Sequence, residues 1–211
     1  MQIIRYRDLK PARWANGGGV TRQLAASGGP DWDWRISIAE VAQAGPFSTL
    51  PGIDRVITII EGDLVLLEVD GVEHPLERYR PFRFSGDSAT TASLPTGDVT
   101  DLNVMTRRSL FRGYTAIIEL SKTRPHPVFA GQHAVLLQGD ASVTEVLEAS
   151  ADAVDVAAGT TTTDGLKAEV GTTAAAPVKL NRFDAVIGSD AAPKVTGRGF
   201  LAIVSIDAVG A

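Results

Sequence analysis

Alternation between apolar and polar side chains is the dominant pattern along the chain, and it predicts strands. In segment 34–41, Trp34 and Ile36 fall on one side of an extended backbone, while Arg35 and Ser37 fall on the other. Segments with the helical period are scarce in the rest of the sequence. The pattern therefore predicts an all-β protein.

Turn residues follow the strand-like runs at short intervals. The β-branched run 55–60 ends at Glu61-Gly62-Asp63, and the run 64–69 ends at Asp70-Gly71. Paired Gly and Asp between apolar runs are typical of hairpin turns. These segments are predicted to form a meander of antiparallel strands.

A faint internal repeat suggests how the strands are arranged. Ile59-Ile60-Glu61-Gly62-Asp63 resembles Leu136-Leu137-Gln138-Gly139-Asp140, although Gly-Asp turns are common enough for chance to give the same likeness. A duplication predicts two antiparallel β-barrel lobes of the jelly-roll type, residues 1–120 and 121–211. Because no Pro-, Ser- or Gly-rich linker separates Met105 from Tyr114, we expect the lobes to exchange strands near their junction.

Composition narrows the classes of function. The chain has 211 residues, no cysteine and a formal net charge of −5. Without cysteine there are no disulfides or thiolate metal sites, and three isolated histidines lead us to expect neither a metal nor another cofactor. The acidic balance argues against nucleic acid as a partner. Because no apolar run approaches roughly 18 residues and the first residues lack a signal-peptide pattern, we expect a cytoplasmic protein that does not enter a membrane.

One dense block, Trp14-Ala15-Asn16-Gly17-Gly18-Gly19, has two interpretations. Consecutive glycine amides can form an anion-binding nest, although the spacing of a phosphate loop is absent. Glycines also let a segment cross closely over a sheet, here with Trp14 filling the core. The sequence leaves both open.

Arg55 is the strongest candidate for binding a ligand. It begins an apolar run, and a guanidinium there is costly unless it is paired. Its planar fork matches one carboxylate. The structural alternative is an ion pair with Asp54 or Glu61. Asn103, between two apolar residues, also needs a polar partner.

Ordered blocks over residues 1–120 carry a family resemblance. They are Trp14-x-Asn16-Gly17-Gly18-Gly19-x-Thr21-Arg22, Asp33-Trp34-Arg35-Ile36-Ser37-Ile38-Ala39, Gly45-Pro46-Phe47-Ser48, Pro51-Gly52-Ile53-Asp54-Arg55, Gly62, Phe84-x-Gly86-Asp87 and Asp101-Leu102-Asn103-Val104-Met105. With these blocks the chain resembles the HutD/Ves family of cupin-like proteins. The resemblance implies a bicupin that binds a small carboxylate metabolite of bacterial histidine utilisation, such as urocanate or formylglutamate, and modulates that pathway.

The resemblance also places the family's pocket arginine at Arg55, although Ile53 stands where the family often has an aromatic residue. The expected ligand-binding set, with no catalytic residue, is Arg55, Asn16, Gly17, Gly18, Gly19, Asn103, Trp14 and Arg35. The alternatives are a cofactor-free cupin enzyme, an isomerase or hydrolase acting on a small carboxylate, and a scaffold that works as a homo-oligomer such as a homodimer. An acid–base pair in the pocket would favour the enzyme, and a pocket filled by side chains would favour the scaffold.

Overall fold

The described part of the chain is built from strands. The computed structural model describes residues 1–147, except 28 and 30, and residues 173–210. From the N-terminus to Leu120 the strands are β1 (Gln2–Ile4), β2 (Ala12–Arg13), β3 (Gly19–Ala26), β4 (Trp34–Val41), β5 (Gly45–Pro46), β6 (Ile53–Glu61), β7 (Leu64–Val69), β8 (Val72–Glu77), β9 (Phe82–Ser85), β10 (Thr90–Ser93), β11 (Val99–Arg107) and β12 (Phe111–Leu120). They continue with β13 (His126–Pro127), β14 (Gln132–Thr144), β15 (Val146–Leu147), β16 (Thr173–Ala174), β17 (Val178–Leu180), β18 (Ala185–Ile187) and β19 (Lys194–Ala208).

The helical content of this part of the chain is one 3-10 turn, Tyr6–Asp8. The prediction of an all-β protein is confirmed.

Three larger sheets organise these strands. A six-stranded antiparallel sheet has the order β2-β3-β4-β11-β6-β9, and a four-stranded sheet has the order β5-β10-β7-β8. The C-terminal half supplies most of a seven-stranded sheet, with β1-β18-β14-β19-β12 in line, β13 beside β19 and β17 beside β14. A short pair, β15 with β16, stands apart from them.

The six-stranded sheet lies between the other two, so both of its faces are covered. On one face, Ile36 and Leu102 pack in a cluster with Val135 and Val204 of the seven-stranded sheet. On the opposite face, Ile57 packs in a second cluster with residues of the four-stranded sheet. Successive strand residues point to opposite faces, so the alternation predicted for 34–41 places Arg35 and Ser37 on the side of the four-stranded sheet.

Two strands of the N-terminal half, β1 and β12, pair with strands of the C-terminal half. β1 pairs with β18, and β12 pairs with β19 along its whole length, so both belong to the seven-stranded sheet. A division of the chain at residue 120 and an exchange of strands at the junction stay predictions, and residues 148–172 of the predicted second lobe lie outside the described residues.

The register of the six-stranded sheet sets which polar side chains lie next to each other on neighbouring strands. Met105 of β11 lies between Arg35 of β4 and Arg55 of β6, and Asn103 lies opposite Ser37. The pairing of β11 with β6 shifts between Thr100 and Asp101. Such β-bulges bend a strand and redirect side chains, often beside functional sites.

Candidate functional site

A cavity of about 500 Å³ opens between the six-stranded sheet and the chain segments that cross its end. Its floor is formed by alternate residues of β4 and β11, together with Arg55 of β6 and Thr21 of β3. Its rim is formed by residues of the segments 14–16 and 46–50. The two arginines that face it are Arg35 and Arg55, and the one acidic lining residue in the described part of the chain is Asp101. The cavity therefore brings together residues that are far apart in sequence.

Arg55 is buried, with 6% of its surface exposed. Its guanidinium carbon lies 4.8 Å from the centre of the Phe47 ring and 5.0 Å from that of Phe84. Its Nη2 donates to Asn103 Oδ1 at 3.3 Å, while its Nε has no hydrogen-bond partner among the described residues. Burial lowers the pKa of Arg55 to about 10, so the side chain remains charged near neutrality.

Asp101 is a cavity-lining residue that sequence reasoning did not select. It is enclosed, with 2% of its surface exposed, and its Oδ1 accepts a hydrogen bond from Asn103 Nδ2. Burial raises the pKa of Asp101 to about 7, against the opposing effects of Arg55 and of the Asn103 hydrogen bond. Asn103 thus connects the buried carboxyl group of Asp101 to the buried guanidinium of Arg55, and these are its polar partners.

Arg35 lies on the other side of Met105 in a comparable setting. Its guanidinium carbon lies 4.7 Å from the centre of the Trp32 ring, and its Nη2 is 3.3 Å from Met105 Sδ. Its Nε is enclosed and has no partner among the described residues. Burial lowers the pKa of Arg35. The structure therefore places the half-buried Arg35 side chain, a member of the expected ligand-binding set, at the cavity.

The glycine-containing block contributes to the rim through Trp14 and Asn16, but Gly17, Gly18 and Gly19 do not line this cavity. Gly17 N–H donates to Trp14 O, and Gly18 N–H donates to Asn16 Oδ1, both at 3.0 Å. These two amides are thus satisfied within the block and are not free to form an anion-binding nest, one of the two interpretations that the sequence left open.

Gly19 has a packing role. A Cβ there would lie 2.7 Å from Glu40 O and 3.0 Å from the Trp14 ring, so only glycine allows this close crossing. Trp14 is held in turn by a 2.8 Å bond from its Nε1 to Thr21 Oγ1.

The ion pairs suggested for Arg55 do not form. Asp54 instead pairs with Arg108 at 2.6 Å, and Glu61 pairs with Arg182 at 3.1 Å. Both acids are therefore engaged on the outside of the cavity. The acid that influences Arg55 is Asp101, four residues before Met105 on the neighbouring strand.

Within residues 1–147 (without 28 and 30) and 173–210, no group of three or more His, Cys, Asp or Glu side chains is placed to hold a metal ion. The expectation that no metal is bound stays a prediction. Over the same residues, no helix has the length and apolar character needed to cross a membrane.

Comparison with known proteins identifies the family of this chain. Residues 6–196 match the family model described as HutD, and this range contains the whole cavity. The chain belongs to the HutD family. The resemblance to HutD/Ves proteins inferred from the ordered sequence blocks is confirmed.

Curated relatives of this HutD-family chain match only part of it. Protein Ves of Citrobacter koseri is 44% identical over 112 residues, covering 51% of this chain and 59% of the relative. A Pseudomonas putida protein, described as an uncharacterized 21.2 kDa protein in the hutC 3′ region, is 38% identical over 109 residues, covering 50% of this chain and 57% of the relative. The match to these two thus spans less than two thirds of their own length.

Solved structures match the HutD-family fold along its whole length. HutD from Pseudomonas fluorescens SBW25, in a structure described for a formate condition, gives a TM-score of 0.71 with 25% identity over 99% of both chains. A conserved protein of unknown function from Pseudomonas aeruginosa PAO1 gives 0.73 with 23% identity and the same coverage. A cupin 2 conserved barrel domain protein from Leptotrichia buccalis gives 0.55 with 8% identity, covering 98% of this chain and 96% of that one, which shows a shared fold alone.

Proposed function

We propose that this HutD-family protein binds a small carboxylate metabolite at Arg55, without a metal ion. The observation that carries the proposal is a buried guanidinium whose Nε has no partner within the described residues and which faces a cavity of about 500 Å³. A cavity of roughly 300–1,000 Å³ suits a small organic ligand. Residues 1–120 would then form the ligand-binding lobe of a bicupin, and residues 121–211 the second, supporting lobe.

The surroundings of Arg55 favour a carboxylate. The rings of Phe47 and Phe84 lie beside the planar guanidinium, with their centres 4.8 Å and 5.0 Å from its carbon. The N–H donors of a guanidinium lie in that plane, in a fork that matches the two oxygens of a carboxylate. Asn103 occupies one donor, so several remain for a ligand. Burying a cation is costly, and an anionic ligand would offset that cost.

The family suggests where the ligand comes from. The relative from Pseudomonas putida is described by its place in the hutC 3′ region. Intermediates of histidine utilisation such as urocanate and formylglutamate carry the required carboxylate. We propose that one of them binds and that the bound state modulates this pathway.

A second function is favoured by one specific observation. Asp101 lines the same cavity as Arg55, and its pKa is raised by burial to about 7. A carboxyl group that exchanges its proton near neutrality can act as a general acid or base. A cofactor-free enzyme acting on a small carboxylate is therefore the alternative. Conversion of either compound, followed by NMR and abolished by Asp101→Asn, would support catalysis.

Two Arg55 variants test the binding proposal. Arg55→Ala is expected to weaken carboxylate binding by about 2–5 kcal/mol, the cost of truncating one partner of a buried charge pair. Arg55→Lys is expected to retain only part of the wild-type affinity, because an ammonium group keeps the charge but lacks the planar fork of donors. Calorimetry with urocanate and formylglutamate measures both, beside thermal melts. The control is Arg124→Ala, which removes an exposed arginine outside the cavity.

The same experiment separates binding from a structural role. If Arg55→Ala binds both compounds like the wild type but melts far lower, Arg55 stabilises the fold and is not a ligand anchor. If no compound binds the wild type, the ligand class is wrong.

A further inference from the structure

The cavity contains two buried or half-buried cations and only one acid among its described residues. Arg35 and Arg55 both line it, and the acid is Asp101. Arg22 and Arg108, elsewhere in the same half of the chain, each form an ion pair with a carboxylate. Neither cavity arginine forms an ion pair within the described residues. A surplus of positive charge is therefore enclosed.

Both guanidinium groups retain unused donors. Arg55 donates to Asn103, and Arg35 makes only a contact with the sulfur of Met105, a weak acceptor. The Nε atoms of both are enclosed and have no partner among the described residues. Each guanidinium also lies over an aromatic ring in a cation–π contact. The structure thus presents two prepared anion sites.

Their spacing follows from the register of the sheet. Arg35 on β4 and Arg55 on β6 both lie opposite Met105 on the strand between them. Two strand spacings place their Cα atoms roughly 9–10 Å apart. The two positive charges are close enough for Arg35 to contribute to the lowered pKa of Arg55. One small ligand can therefore contact both.

We propose that the ligand is a dianion, a short dicarboxylate whose first carboxylate binds Arg55 and whose second binds Arg35. This inference rests on the proposed binding function of Arg55 and adds the second anchor. A monocarboxylate would leave Arg35 enclosed without a counter-charge, whereas a dicarboxylate neutralises both cations. The site should accordingly select ligands by the number of their negative charges.

Glutarate and its monomethyl ester provide matched probes, because the ester keeps the carbon chain and removes one charge. Calorimetry on the wild-type protein is expected to show glutarate binding roughly tenfold tighter or more, since the second pair is only partly shielded from solvent. Arg35→Gln is expected to abolish this preference, so that the diacid and the monoester bind this variant with equal affinity. Arg35→Lys is expected to keep part of the preference. The exposed-site control, Arg124→Gln, is expected to keep all of it.

The possible results distinguish this inference from the function on which it rests. Equal affinity of the wild type for the two probes, or an undiminished preference in folded Arg35→Gln, would overturn the second anchor and leave Arg55 as a monocarboxylate site. Failure of both probes to bind the wild type would overturn the Arg55 site as well. Thermal melts show whether each variant is folded.

Discussion

Ligand binding should be linked to the protonation of Asp101. This carboxyl group is buried in the cavity beside Arg55, to which Asn103 connects it. A ligand carboxylate bound at Arg55 would place a second negative charge in the same enclosed space, and nearby like charges disfavour simultaneous ionisation. The protonated form of Asp101 should therefore be the form that binds, and the ligand should raise the pKa of this group further.

The structure gives the size of the effect. With the pKa of Asp101 at about 7 in the empty site, the fraction protonated falls from roughly 0.76 at pH 6.5 to roughly 0.03 at pH 8.5, and apparent affinity scales with that fraction. The dissociation constant should thus rise roughly 25-fold over this range. Because the pKa of Arg55 is about 10, its charge persists throughout.

Calorimetry with glutarate at several pH values measures this directly. At pH 7, titrations in buffers of different ionisation enthalpy should reveal uptake of about half a proton per ligand. Asp101→Asn mimics the protonated acid, so its affinity should be nearly constant over the same range. Asp190→Asn, which changes an exposed acid far along the chain, should follow the wild type.

Two results would refute this reasoning. One is a wild-type affinity that does not change between pH 6.5 and pH 8.5. The other is an Asp101→Asn protein whose affinity declines in parallel with that of the wild type. Either result would mean that Asp101 keeps the same charge in the empty and bound states.

Two further predictions concern stability. Burial lowers the pKa of His133 to about 4, so its contribution to stability is fully present above the unfolded pKa of about 6.5. About 2–3 kcal/mol of the free energy of unfolding is lost as the pH falls to 4.5, because the unfolded state then binds a proton that the folded state largely does not. Urea unfolding at pH 7 and pH 4.5 should show that this loss of stability is smaller in His133→Phe. Asp101 contributes with the opposite sign, because its raised pKa lowers stability as the pH rises. Comparing the variant with the wild type at the same pH cancels that contribution. Gly188→Ala should lower the melting temperature and reduce the free energy of unfolding by about 1–3 kcal/mol, because its Cβ would lie 1.8 Å from Phe129 O. Gly45→Ala should leave the melting temperature nearly unchanged, because no atom lies within 4 Å of its Cβ. Equal melting temperatures for the two alanine variants would contradict the steric argument.

The fold class was predictable from local pattern, because a strand with two different faces alternates along the chain. Segment 34–41 shows both the strength and the limit of that signal. Its alternation correctly placed Trp34 and Ile36 on one face, which packs in a single hydrophobic cluster. It could not decide whether Arg35 was exposed, because that requires knowing that a second sheet covers the opposite face. Coverage of a face is a long-range property and leaves little trace in the local sequence.

The site was less predictable, for a related reason. Arg55 and Asn103 could be selected because a polar residue among apolar neighbours needs a partner, and here they partner each other across 48 positions of sequence. The glycine block was ambiguous because local hydrogen bonds, invisible in the sequence, satisfy the amides of Gly17 and Gly18.

Asp101 was missed although the signal was present. It stands two positions before Asn103 in a strand, and residues at that spacing share a face. Once Asn103 is assigned to a cavity, Asp101 follows it there, and a carboxylate beside a buried guanidinium is the simplest way to moderate the cost of burial. Because Asp101 is enclosed beside Arg55, its proton distinguishes the two proposed functions. Uptake of a proton by Asp101 when the ligand binds, with no change to the ligand, supports binding. Transfer of that proton to the ligand supports catalysis.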